Sequence, residues 1–182
     1  EILARTVAGA PASIEGHADE ARAVPGLLDT IRAAEAEGAQ ATVIACFDDP
    51  GLGAAREVAR GPVLGICQAG IQVATTIAAR FSIVTTLPRS VPIIEELVDA
   101  YGAARQCRRV RAVNLPVLAL EEDPAEAFAR LRREIRRSAE EDGAEAVLLG
   151  CAGMAEMCRD LQAETGIPVI DGVTAAVKLA EA

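Results

Sequence analysis

The chain has 182 residues, 51% of them hydrophobic, so it can bury a core either as one domain or as two small lobes sharing a cleft. A formal charge of −9 and an aromatic content of 2% exclude both a basic groove for phosphates and a stacking platform for bases, so nucleic acid is not an expected partner. No apolar run reaches the ~18 residues of a spanning helix, and no charged start, apolar stretch and small-residue cleavage site mark a leader, so a cytoplasmic protein with no membrane partner is expected.

In chain order, Glu1 to Ala8 reads as a strand, followed by a turn in which Ser13 and Glu15 could reach a cleft but are more simply turn residues. His17 reads as a surface turn residue. A helical pattern over Leu27 to Glu37 leads into the apolar run Gly38 to Cys46, a buried strand by length and composition. Asp48 and Asp49 then either orient substrate N–H groups, Asp48 being the closer to the thiol, or cap a helix after Pro50-Gly51. Pro62 to Gly65 is a strand and Ala69 to Ala79 a helix. Next come a strand at Phe81 to Thr86, a helix at Ser90 to Ala100, a strand at Val110 to Ala119 and a helix at Pro124 to Asp142. The basic run Arg130 to Arg137 is the solvated face of that last helix, with Glu134 and Glu140 giving charge pairs. The strand Gly143 to Cys151, the strand Pro168 to Asp171 and the helix Thr174 to Ala180 complete the chain.

An internal duplication organises these elements. Gly38-Ala-Gln-Ala-Thr-Val-Ile-Ala-Cys46 aligns without gaps on Gly143-Ala-Glu-Ala-Val-Leu-Leu-Gly-Cys151, and Pro62-Val-Leu-Gly65 matches Pro168-Val-Ile-Asp171. Strands alternating with helices imply an α/β protein with parallel sheets flanked by helices, and the duplication implies two pseudo-symmetric lobes, residues 1–79 and 80–182. The second lobe carries one extra strand and helix at its start, so the matching pieces of the first are expected before residue 1. The C-terminal helix is a candidate to cross back onto the first lobe.

Five cysteines, at 46, 67, 107, 151 and 158, form no C-x-x-C pair, and the lone His17 is distant from them, so neither a metal site nor a disulfide framework is expected. Cys46 and Cys151 stand at equivalent strand ends. In an open parallel sheet the ligand crevice lies beyond the carboxyl ends of the strands, and a pseudo-twofold brings the two sulfurs to opposite walls of it. Inverting a carbon centre without a cofactor needs one group to remove a proton from one face and another to supply one to the other face. Two facing thiols meet that need. Both cysteines precede helix-compatible segments, whose N-termini are expected to lower the thiol pKa, giving one thiolate and one thiol. The backbone N–H groups of Phe47, Asp48, Ala152 and Gly153 are expected to receive a carbonyl oxygen as it becomes an enolate. Thr85 and Thr86 at a strand end offer hydroxyls to a ring carbonyl or N–H, although β-branched strand residues are as often structural. A lone strand-end cysteine usually just packs, which is the reading for Cys107 and Cys158; Cys67 borders the cleft or packs.

The stretches Pro11-Ala-Ser-Ile-Glu-Gly16, Ile44-Ala-Cys-Phe-Asp-Asp-Pro-Gly-Leu52, Phe81-Ser-Ile-Val-Thr-Thr-Leu87, Leu149-Gly-Cys-Ala-Gly-Met-Ala155 and Pro168-Val-Ile-Asp-Gly-Val173 resemble the aspartate/glutamate/hydantoin racemase superfamily, and more closely its hydantoin and allantoin racemase branch. The resemblance implies two pseudo-symmetric α/β lobes, a site between them, catalysis by Cys46 and Cys151, no cofactor, and assembly into homo-oligomers. Two departures are visible: the family's opening strand with its Asn-Pro-Asn-Thr-like turn is lacking, and Cys67-Gln68 stands where relatives commonly carry Gly-Glu.

Acidity ranks the substrates that the resemblance implies. A 5-monosubstituted hydantoin carries its C5 proton between a carbonyl and a ring nitrogen, so its removal leaves a delocalised enolate. An amino acid is harder, because its carboxylate opposes the enolate. Hydantoin racemisation is therefore the leading expectation. Allantoin, itself a 5-substituted hydantoin, is the nearest alternative, followed by aspartate or glutamate racemisation and by a non-catalytic small-molecule binding protein.

Overall fold

The structure, a computed structural model, describes residues 1–182. It contains six strands, β1 (Thr42–Ile44), β2 (Val63–Gly65), β3 (Phe81–Thr85), β4 (Cys107–Ala112), β5 (Ala146–Leu149) and β6 (Val169–Asp171). The α-helices are α1 (His17–Ala36), α2 (Leu52–Val58), α3 (Ile66–Ile77), α4 (Val91–Ala100), α5 (Ala119–Glu122), α6 (Pro124–Asp142), α7 (Cys158–Thr165) and α8 (Gly172–Glu181). All strand pairings are parallel: β1 lies beside β2 in one sheet, and the order β4-β3-β5-β6 makes the other. The α/β class with helix-flanked parallel sheets is as read from the sequence.

Every residue of β3 is buried, because β3 is central and covered on both faces. Ile83 and Leu148 point to a core shared with Ile66, Ile71, Ile94 and Ala176, whereas Val84, Val147 and Leu149 point to a second core with Leu131, Ile135, Met154 and Leu161. Ile31, Ile44, Leu52, Ala55 and Val63 form a smaller core under the two-stranded sheet. The first core crosses the boundary near residue 80, since it joins α3, which follows β2, to α8, which follows β6. The contact is close: a methyl on Gly172 would overlap the Ile66 carbonyl oxygen.

Three elements differ from expectation. Glu1 to Ala8 forms no strand; it has no strand to pair with, and its Val7 side chain packs instead where Gly26 leaves room. The strand expected at Val110 to Ala119 runs from Cys107 to Ala112, because Asn114 adopts φ 57° and Pro116 offers no donor, and Ala119 already opens α5. Helix α1 begins at His17, ten residues before the pattern at Leu27, and runs through Pro25.

Candidate active site

Cys46 and Cys151 lie just beyond the C-terminal ends of β1 and β5. Both are free thiols, partly exposed, and each sulfur feels the charge of its neighbours: Cys151 and Asp48 act on Cys46, and Asp48 and Glu15 act on Cys151. The duplicated strand ends thus bring the two sulfurs into one electrostatic environment. The local geometry repeats as well. The Cys46 sulfur is approached by the N–H of Asp48 and the Cys151 sulfur by the N–H of Gly153, two residues on in each case.

The expectation of lowered thiol pKa values is overturned. Helix α2 begins only at Leu52, so Cys46 has no helix N-terminus behind it, and Cys151 caps a single 3-10 segment, Ala152–Met157. Burial therefore dominates and pushes both thiols up, with Asp48 adding to the rise at each and one N–H opposing it. Cys46 is displaced far, beyond the ordinary thiol range, and Cys151 less. The N–H groups of Asp48 and Gly153, two of the four expected to meet an enolate oxygen, lie towards the sulfurs.

Asp48 is buried at 9% exposure and held up at about 7, first by burial and then by the charges of Glu20 and Asp49, with His17 acting the other way. Asp49, its neighbour, does different work. Its carboxylate accepts from the N–H groups of Cys67 (3.0 Å) and Gln68 (2.9 Å) and from the Tyr101 hydroxyl (2.9 Å), so it caps α3 rather than the helix after Pro50-Gly51.

Phe47 is buried in the core between the sheets. Ala152 is partly exposed, and Gly153 packs on Leu120, with the Cys151 sulfur 3.8 Å from where its Cβ would be. Thr85 gives its hydroxyl to the Gly150 carbonyl at 3.0 Å, so it fixes the strand end that carries Cys151. Thr86, also buried, leaves its backbone carbonyl to the Leu115 N–H (3.2 Å). Cys67 is fully buried at the start of α3; Cys107 and Cys158 lie on β4 and α7, away from the paired strand ends. Glu15 faces Cys151 while binding the Val117 N–H (3.0 Å), and its carbonyl accepts from Arg89 (2.6 Å), which ties the loop after residue 8 to the second half. Glu20 was not legible in the sequence: its role arises from a fold that lays α1 beside the Cys46 loop, and its Oε1 is buried without a hydrogen-bond partner.

Paired thiols beside a carboxyl whose pKa is held near neutrality are an arrangement suited to moving a proton. A family model described as Asp/Glu/hydantoin racemase matches residues 1–180, and the chain belongs to that family. It is an isomerase of the racemase class. It is 69% identical over 172 residues to the hydantoin racemase of Rhizobium meliloti, a match covering 94% of this chain and 71% of that protein. Among solved structures, the allantoin racemase from Klebsiella pneumoniae superposes with a TM-score of 0.90 at 50% identity, covering 93% of this chain and 69% of the other. That from Pseudomonas fluorescens gives a TM-score of 0.95 at 36% identity, covering all of this chain and 77% of the other. No helix is long and apolar enough to cross a membrane.

Proposed function

We propose that the chain racemises 5-monosubstituted hydantoins by two-base proton transfer between Cys46 and Cys151. The observation that carries this reading is the repeated thiol geometry: two sulfurs at duplicated strand ends, each with the N–H two residues on lying towards it, and the charge of Cys151 acting on Cys46. The name and 69% identity of the Rhizobium meliloti relative support the hydantoin ring as substrate. The allantoin racemase structures support the same ring with a ureido substituent as the second reading.

Cys151, the less displaced thiol, ionises first, and the Asp48 carboxylate beside both sulfurs takes its proton. The Cys151 thiolate then forms an S–H bond with the C5 proton as the C5–H electron pair moves into the adjacent carbonyl. The enolate oxygen lies towards the Phe47 or Ala152 N–H. Cys46 gives its S–H proton to the opposite face and becomes the thiolate, so the reverse reaction starts from the other side. The thiols' raised pKa is not an obstacle to this chemistry: a thiolate so raised is a strong base, and the nearby N–H of Asp48 or Gly153 stabilises it once formed.

Polarimetry on L- and D-hydantoins, allantoin included, tests the reaction; retention of optical rotation with every member would remove it. Cys46→Ser and Cys151→Ser should each abolish racemisation, while each still exchanges the C5 proton of one enantiomer in deuterium oxide with configuration retained. The two variants should prefer opposite enantiomers. Near wild-type racemisation by either would end the two-base mechanism.

A further inference from the structure

We infer that Asp49 and Tyr101 are positioning residues for one cysteine alone: they clamp the Cys46 loop to α3 and to the end of α4, and so set where the Cys46 sulfur stands relative to Cys151. The inference rests on the two-cysteine reading for its functional meaning, though not for its geometry.

Its starting point is a break in the internal symmetry. Helix α8 is capped locally, by the Asp171 carboxylate accepting from the Thr174 N–H at 2.7 Å. In the matching alignment Gly65 occupies the place of Asp171, so α3 has no side chain of its own to cap it. The Asp49 carboxylate fills the vacated space: a methyl added to Gly65 would overlap it. The first half therefore borrows its cap from the loop that carries Cys46.

That loop is tightly wound. Asp49 donates its N–H to the Cys46 carbonyl at 3.1 Å and adopts φ 44°, a left-handed conformation uncommon for a non-glycine residue, which its anchored side chain helps to hold. The anchor has three donors, the Cys67 and Gln68 N–H groups and the Tyr101 hydroxyl, and the last comes from the second half of the chain. Burial and the facing Asp49 charge push the Tyr101 phenol up, so it remains a donor. The same turn recurs at Cys151, closed by the Met154 N–H on the Cys151 carbonyl (3.1 Å), but there the side-chain anchor is the Thr85 hydroxyl on the Gly150 carbonyl, with no counterpart of the Asp49 carboxylate.

Tyr101→Phe keeps the ring and removes one donor; Asp49→Asn keeps the shape and removes the charge that two N–H groups and the phenol share. In both variants the rate of iodoacetamide labelling at Cys46, read by peptide mass spectrometry, should rise roughly tenfold, the value of one charge-assisted hydrogen bond, with the Cys151 rate unchanged. Equal change at both cysteines, or none at Cys46, would overturn the clamp. Adding Tyr101→Phe to Cys151→Ser should lower deuterium exchange at C5, while adding it to Cys46→Ser should not. If neither single-cysteine variant exchanges but Cys46 labelling still responds selectively, the two-base mechanism fails and the clamp stands.

Discussion

Asp48→Asn offers the sharpest test of the site's electrostatics. The carboxyl is held at about 7 against an ordinary 3.8 by burial and by Glu20 and Asp49, with His17, Cys46 and Cys151 as its other charged or titratable neighbours. An acid whose folded pKa is raised binds more protons folded than unfolded, so its ionisation erodes stability as pH climbs from the unfolded value through the folded one. At 1.36 kcal/mol per pH unit the cost is about 1.7 kcal/mol at pH 5 and about 4 kcal/mol at pH 8, an upper figure because the cleft can relax. Asparagine does not ionise, so the variant should gain on the wild type by about 2 to 3 kcal/mol between pH 5 and pH 8, or on the order of 5 to 10 °C in Tm. Its racemisation should fall at the same time, since the group that takes the thiol proton is gone. Thermal melts at pH 5, 6, 7 and 8 read the effect. A Tm difference that stays constant over that range would refute the assignment of the raised pKa to Asp48.

The remaining predictions concern the thiols and the packing. In the wild type, iodoacetamide should label Cys151 before Cys46 and leave the fully buried Cys67 unmodified; mass spectrometry of time points gives the order, and Cys46 reacting first would contradict the greater rise of its pKa. Gly65→Ala should cost about 1 to 3 kcal/mol in denaturant unfolding, because the methyl displaces the Asp49 carboxylate, whereas Gly53→Ala, with no atom near its Cβ position, should be neutral or stabilise by up to about 1 kcal/mol. Arg111, 6% exposed, pairs with Glu134 (3.5 Å), Glu141 (2.7 Å) and Asp142 (2.6 Å). Arg111→Met should cost about 3 kcal/mol in urea unfolding, since it removes the buried cation of the cluster and leaves Asp142 only the cation of Arg109 (3.7 Å) and Glu134 only arginines on the exposed side, such as Arg137 (3.2 Å).

What the sequence made legible was local or repeated. Helix α6 is bounded as read because its signals are all within it: Asp123 accepts from the Glu126 N–H, Pro124 takes the first turn, and Gly143 closes it at φ 66°. The cysteine pair was legible because the duplication displays it twice. Helix α1 was read ten residues short because Pro25 and Gly26 look like breakers, yet Gly26 is where Val7 packs closely. The thiol pKa values were misjudged for a similar reason. A helix N-terminus can be guessed from neighbouring residues, but the burial of both thiols and the Glu15 and Asp48 charges on Cys151 come from residues far along the chain. The Tyr101–Asp49 bond spans 52 positions and has no sequence signature.

The duplication makes the two cysteines equivalent in backbone and unequal in charge, and this bears directly on how a racemase of this design turns over. Cys46 is followed two residues on by Asp48, where Cys151 is followed by Gly153, so the carboxylate is a near neighbour in the chain of one cysteine and reaches the other only through the fold. With Asp49 next to it as well, Cys46 is the harder thiol to ionise and, once ionised, the stronger base. Under the proposed two-base mechanism, the free-energy gap between the two resting states, thiolate at Cys151 or at Cys46, then appears in turnover. Because two enantiomers have equal free energy in solution, kcat/KM is the same in both directions, and the asymmetry can appear only in kcat and KM separately. The enantiomer whose C5 proton faces Cys151 should meet the more abundant resting state and show the lower KM and the lower kcat. Progress curves from each pure enantiomer measure both constants, and Asp48→Asn, which removes the unequal charge, should draw the two pairs of values together. Identical constants for the two enantiomers in the wild type would show that the two thiolate states are equal in free energy and would refute the asymmetry argued from the unequal charge.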